Sequence, residues 1–393
     1  MTMSLEAVPF YGMRNAVELS EFCQDHLASL SRSDQRRWGE VYIRGLVSVP
    51  GRKSIKRISD YIVGWRADQC LQQFINQSTW RWEPVRCCLA HTVAGLLHPR
   101  AYVLTEAVFP KNGNSSVGVA RQYAPSAGRV LNCQLGLAVS LVGDDATCPV
   151  NWRLLLPRSW DDDPGRRART HLPARERHRP RWCAILDAVD EVVFGWHLPV
   201  APVLIDATEE LDVELLLRGL EDRGIPFVVQ VRAQTLAGIR RTTVGELANG
   251  TVRPGPTTLK VRTRNEHNTT AVSRFMAIPV RGEPELARPR SGRLVRRARH
   301  LLAQWTVGMG RPGATWLTNL PANQLTELIE LVDLVSLQGR ADADLAGLYD
   351  GVGLRHFEGR SYRGWHHHVT LASAAAAYRI AARDLVPNHS VAG

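Results

Sequence analysis

Apolar residues recur at three-to-four spacing through the first quarter of the chain. Ala16 to Leu30 and Trp38 to Val47 carry the pattern, and Gln69 to Ile75 and Val85 to Leu97 repeat it. That period predicts amphipathic helices, punctuated by Pro50-Gly51 and Pro84. The texture changes near residue 100. Ala101 to Leu104 reads as a short apolar strand, and Asn112-Gly113 is a hairpin-turn signal. Ser116 to Tyr123 and Asn132 to Val142 alternate as half-buried strands do. Trp182 to Trp196 then reads as a helix, Ala201 to Ile205 as a strand, Leu211 to Arg223 as a helix and Pro226 to Val231 as a strand. Residues 232–300 are rich in Arg, Thr, Gly and Pro, with short β-like pieces at Thr257 to Val261 and Phe275 to Val280. Leu325 to Leu337 and Val369 to Ala382 return to the helical period.

Three strands opening an α/β region predict an antiparallel start to a mixed sheet. The later alternation of helix and strand predicts crossover units. The fold expected is α/β: a ribonuclease-H-like mixed sheet with a helical N-terminal domain and a β-rich insertion. Its parts are the helical domain at 15–98, the sheet at 99–231, the insertion at 232–315 and a C-terminal helical part at 316–385.

Charge adds a partner. The chain of 393 residues has a formal net charge of +11, which favours a polyanion, nucleic acid first. Arginine supplies nearly all of it, since lysine occurs only at Lys53, Lys56, Lys111 and Lys260. Arg32 to Arg66 holds nine basic and three acidic residues, and Arg281 to His300 holds seven arginines and two glutamates. The seven cysteines are scattered with no Cys-x-x-Cys pair, which reads as reduced thiols rather than a disulfide frame or zinc site. Neither a signal peptide nor a run of 18 apolar residues is evident. The expected setting is cytoplasmic, with no membrane partner.

Several runs carry a family resemblance. They are Arg32 to Leu46 (RSDQRRWGEVYIRGL), Leu71 to Ser78 (LQQFINQS), Phe109 to Gly113 (FPKNG) and Ser116 to Tyr123 (SVGVARQY). Leu156 to Pro164 (LPRSWDDDP), Trp316 to Pro321 (WLTNLP) and Gly353 to Val369 (GLRHFEGRSYRGWHHHV) complete the set. Together they resemble the DDE transposases of bacterial insertion sequences, in the type 701 branch. The resemblance implies DNA cleavage by three carboxylates around two divalent cations, Mg2+ or Mn2+, which activate the nucleophile and stabilise the leaving oxygen.

Each acidic position can be checked against that pattern. The family's first aspartate ends an apolar strand, and here Thr105 stands in its place. A threonine hydroxyl is a neutral, weak ligand. Glu106 is adjacent, but neighbouring strand residues point to opposite faces. The second aspartate is kept as Asp206. The third carboxylate, a glutamate in the family, falls at Asp342. The arginine and lysine that accompany it become Gln338 and Tyr349. Gly347 and Gly351 follow, and a solvated aspartate near a helix start is one account of Asp342. The resemblance therefore implies catalytic and metal-binding roles for Asp206 and Asp342, with Thr105 and Glu106 at the remaining position.

Arg36, Arg37, Lys53, Lys56, Arg296 and Arg297 are the expected contacts to double-stranded DNA. The protein would then be nucleoid-associated, with a homodimer as one expected state. The leading reading is a transposase-like DNA binder with an impaired site. A working transposase is the alternative, and a fold recruited to another reaction is the third. His366-His367-His368 is expected to be framework rather than a metal cluster, since consecutive helical residues diverge. Asp161-Asp162-Asp163 before Pro164 is expected to start a helix.

Overall fold

The structure is a computed structural model and describes residues 11–64, 66–237, 242–250, 258–264, 270–280, 286–287, 295–296, 298–306 and 310–384. The amphipathic run at the start forms α1 (Tyr11–His26), α2 (Ser33–Ser48), α3 (Ile55–Ile58), α4 (Asp68–Asn76) and α5 (Trp82–Leu97). Tyr42, Ile43 and Leu46 turn the apolar face of α2 inward. Gly45 lets α2 and α3 touch: a Cβ there would lie 2.4 Å from Ile58 Cγ2.

Four strands follow: β1 (Ala101–Pro110), β2 (Ala120–Ala124), β3 (Arg129–Val142) and β4 (Thr147–Leu155). Next come α6 (Pro164–Arg169), α7 (Arg181–Val189), β5 (Val203–Asp206), α8 (Val213–Asp222) and β6 (Phe227–Val231). β3 pairs antiparallel with β1 and with β4, while β5 lies parallel to both β1 and β6. The order β4-β3-β1-β5-β6 is the ribonuclease-H-like mixed sheet. Two details differ from the sequence reading. Asn112-Gly113 does not close a hairpin, because β2 pairs with β3 and not with β1. The turn that closes β2 onto β3 runs over Pro125–Ala127 and ends at Gly128, whose φ of 62° suits glycine. β4 has no counterpart in the periodicity.

The remainder comprises β7 (Leu236–Ala237), β8 (Thr242–Thr243), α9 (Val244–Gly250), β9 (Thr258–Arg264), β10 (Thr270–Val280), β11 (Leu286–Ala287), β12 (Val295–Arg296), β13 (Arg299–Thr306) and β14 (Ala314–Thr318). Two long helices close the chain, α10 (Leu325–Gly351) and α11 (Tyr362–Asp384). Much of the β-rich segment prolongs the main sheet. β14 pairs antiparallel with β6, and β13, β10 and β9 follow outward. Among the described residues, ten strands make this one sheet.

The helical region is likewise joined to the sheet through α11. Its residues from Val369 to Tyr378 are all buried, as befits a helix surrounded on every side. The Tyr42 hydroxyl is hydrogen-bonded to His368 Nδ1 at 2.9 Å, and Arg86 reaches from α5 to both β4 and α11. One apolar cluster runs from Leu19 through Trp152 to Tyr378.

The three histidines of α11 are buried framework. His366 stacks on Trp82 at 4.4 Å, His367 on Trp80 at 3.7 Å and His368 on Phe357 at 5.2 Å. His366 Nδ1 accepts from Arg86, and His368 Nε2 donates to the Leu354 carbonyl. Burial, reinforced by Arg86, holds His366 well below the ordinary imidazole range, and burial brings His368 down to about 4. A depressed folded-state pKa means that the unfolded chain takes up protons first. Stability is therefore full above the unfolded value near 6.5 and is lost as pH falls below it. For His368 we expect a loss of about 2 kcal/mol between pH 7.5 and 5, with His366 adding to it in the same direction. Urea unfolding at both pH values measures it, and an unchanged midpoint would contradict the assignment.

Candidate active site

Alternation along β1 sorts its side chains between two layers. Ala101 and Val103 pack with Leu328, Leu331 and Ala341 of α10, so Thr105 faces α10 as well. Tyr102 and Glu106 face the other way. The antiparallel register of β1 with β3 runs unbroken from Ala101↔Val142 to Pro110↔Cys133, so no bulge turns Glu106 round. The parallel register of β1 with β5 runs to Leu104↔Ile205, and Thr105 and Asp206 are the next residues on the two strands. Leu204 belongs to the α10 layer, and Asp206, two residues on, shares its side.

Helix α10 brings the third group. It opens with a capping box between Gln324 and Glu327, which satisfies orphan amide groups at its start. It then continues through Gly339 and Gly347 to Gly351. Asp342 therefore lies well inside the helix, which corrects the reading of it as a helix-start residue. Ion pairs from Arg100 to Asp333 (2.5 Å) and Asp144 (3.2 Å) tie α10 to the sheet. Arg340 adds hydrogen bonds to the carbonyls of Gly143 and Asp144.

Thr105 Oγ1 donates to Asp342 Oδ1 at 2.9 Å. Gln338 Nε2 approaches the same carboxylate at 3.3 and 3.5 Å. The surrounding protein raises the Asp342 pKa by desolvation; the Thr105 and Gln338 hydrogen bonds oppose this, and the Asp206 charge adds to it. Asp206 is exposed, and its Oδ1 accepts from the Thr208 amide (2.9 Å) and hydroxyl (2.7 Å). Thr105, Asp206 and Asp342 are thus brought together with Gln338. Glu106 is held elsewhere by Arg181 at 2.6 Å, and burial raises its pKa against that partner's pull.

This donor set does not fit a two-cation centre. Two divalent ions carry +4, while the residues brought together here supply the carboxylates of Asp206 and Asp342. The third position supplies a hydroxyl whose proton already points at Asp342. Among the described residues, no three His, Cys, Asp or Glu side chains converge as a metal cage requires. What the arrangement does support is a hydrogen-bonded junction between β1 and α10. Sequence reasoning had no signal for Arg181 as the partner of Glu106. Thr208, two residues after Asp206, is a turn pattern that could have been read.

The residues expected to contact DNA are dispersed. Arg37 is exposed with its guanidinium 5.4 Å from the Trp38 ring, and Arg36 spends one nitrogen on the Leu30 carbonyl. Lys56 is exposed on α3. Lys53 differs from its expected surface role: it is 6% exposed and its ammonium caps the end of α2 at the Val49 carbonyl, 2.6 Å away. Arg296 is placed only as backbone in β12, and Arg297 lies outside the described residues. Asp163 caps α6 by accepting from the Arg166 amide at 2.8 Å. No helix among the described residues is long and apolar enough to cross a membrane.

Comparisons complete the description. No curated protein matches the chain. A solved structure of a piggyBac transposase synaptic complex with hairpin DNA resembles it at 12% identity and a TM-score of 0.38, covering 96% of this chain and 81% of that one. The family model described as DDE superfamily endonuclease matches residues 25–293, a span that holds Thr105 on β1 and Asp206 on β5 and stops short of α10. By that match, over more than half its length, the chain belongs to the DDE superfamily of endonucleases.

Proposed function

We propose that the protein is a transposase-like DNA binder of insertion-sequence, type 701 descent whose DNA-cutting step is impaired. One observation carries the reading: Thr105, which the family resemblance sets at the place of the first catalytic aspartate, donates its hydroxyl to Asp342 at 2.9 Å. A group that should accept a cation instead supplies a proton to the neighbouring ligand. The formal charge of +11 supports a duplex DNA partner. A cytoplasmic, nucleoid-associated place follows from that partner. Mg2+ or Mn2+ would act only in a relative with the full carboxylate set.

The test is a binding assay and a nicking assay on one preparation. Duplex binding is expected to weaken steeply with salt, by a slope of about 0.9 per phosphate neutralised. Nicking with Mg2+ or Mn2+ is expected to be absent. Salt-insensitive binding would remove the DNA partner, and metal-dependent nicking would remove the impairment.

A further inference from the structure

The loop between α10 and α11 forms the floor of a groove whose lining does not include Thr105, Asp206 or Asp342. Two adjoining cavities, about 290 and 800 Å³, share Arg52, His356, Phe357, Glu358 and Arg360. The smaller is bounded by Lys111 and the Ser115-Ser116 turn. The larger extends past Lys56 and Arg169 to the amides Gln72, Asn76 and Gln77. Seven Lys and Arg side chains line the pair against two carboxylates, Asp68 and Glu358. Glu358 is already paired with Arg52. The groove therefore presents a surplus of cationic donors inside a concavity.

Those donors are held in place beforehand. Arg355 lies 3.1 Å over the centroid of the Tyr349 ring, and its Nε is buried without a hydrogen-bond partner. The chain reverses at Gly353, φ 67°, to bring it there. Lys111 Nζ donates to the Phe357 carbonyl at 2.7 Å, which still leaves two of its three donors. The Arg360 carbonyl accepts from the Val117 amide at 2.9 Å, while its side chain is exposed. Lys53 N donates to His356 Nδ1 at 3.1 Å and Ser361 Oγ to the Asn76 carbonyl at 3.2 Å, so the loop is tied on both sides. Asn76 Oδ1 is also buried without a partner.

Planar guanidinium groups match phosphate oxygens. A duplex shows its phosphates on a convex surface, which cavities of this size do not admit. A single strand can enter, laying its backbone along the cations and its base edges toward the amides. We propose that the groove binds an unpaired strand of DNA, with Arg355, Arg360 and Lys111 gripping its phosphates. The inference rests on the DNA-binding reading and adds a second, strand-selective contact to it.

Fluorescence anisotropy tests it with a blunt duplex and the same duplex carrying an unpaired tail of about ten nucleotides. The tailed duplex is expected to bind at least tenfold more tightly. Arg360→Glu, an exposed change, and Arg355→Ala with Arg360→Ala should each erase most of that difference and leave blunt binding nearly intact. The salt slope on the tailed DNA should fall by about 0.7 for each phosphate contact removed. Equal binding of the two DNAs overturns the groove assignment while the DNA-binding reading stands. So does a tail preference that survives both variants. Binding to neither DNA overturns both.

Discussion

Replacing Arg86 with alanine is expected to destabilise the protein by about 4 kcal/mol. Arg86 is 2% exposed and reaches from α5 to two other elements, β4 and α11. Its Nε donates to Thr370 Oγ1 at 2.7 Å, one terminal nitrogen donates to the Trp152 carbonyl at 2.8 Å and to Asn151 Oδ1 at 3.2 Å, and the other reaches His366 Nδ1 at 3.1 Å. Burial draws its pKa down to about 10, which still leaves it charged at neutral pH. Truncation would strip its donors from Thr370 Oγ1, the Trp152 carbonyl and His366 Nδ1, while Asn151 Oδ1 keeps the Trp152 amide at 2.8 Å, and would open a void where α5, β4 and α11 meet. Arg86→Lys should recover little, because an ammonium cannot span the same fork. Urea unfolding measures both variants. A loss under about 1 kcal/mol, below the usual penalty for orphaned buried groups, would show that water from the adjoining cavity of about 350 Å³ re-solvates the acceptors.

The elements most legible in the sequence are those whose own periodicity matches their burial. α2, α5 and α8 show one apolar face, and β3 alternates before it becomes buried on both sides. β4 was hidden because Pro149 and Asn151 break its pattern. The strand tolerates them through a register shift against β3 between Val139 and Ser140. α10 outruns its own glycines because Ala341 and Leu345 are buried below them, and tertiary packing outweighs a cost of about 1 kcal/mol per glycine. That β14 pairs with β6, more than 80 residues earlier, has no local signal in the sequence. At the site, family motifs point to Thr105, Asp206 and Asp342, and the fold places Thr105 and Asp342 in hydrogen-bond contact. Their hydrogen bonds were not legible, since Thr105 and Asp342 are 237 residues apart. Arg355 over Tyr349 was equally hidden, because it depends on where α10 stops and how Gly353 turns.

The natural protein is expected not to cut or join DNA with Mg2+ or Mn2+, and Asp206→Ala is expected to change nothing in that assay. The cause is electrostatic. Thr105 leaves two carboxylates to offset two divalent cations, and its hydroxyl occupies one Asp342 oxygen. Without a second cation, either the nucleophile or the leaving oxygen goes without a Lewis acid, which removes several kcal/mol of transition-state stabilisation. At about 1.4 kcal/mol per factor of ten, that is a rate loss of orders of magnitude. Thr105→Asp changes the balance in a way that stability also reports. A carboxylate at 105 would face Asp342 and Asp206 with three like charges, a repulsion that a cation relieves. The thermal midpoint of Thr105→Asp should therefore be lowered without metal and rise on adding Mg2+, whereas the natural protein should respond little. Thr105→Asp with Asp342→Glu should show the larger metal response, and nicking, if any returns, should return there. Metal-dependent nicking by the natural protein that Asp206→Ala abolishes would overturn the impaired reading. A Thr105→Asp protein whose stability ignores Mg2+ would show that Thr105, Asp206 and Asp342 do not form a common cation site.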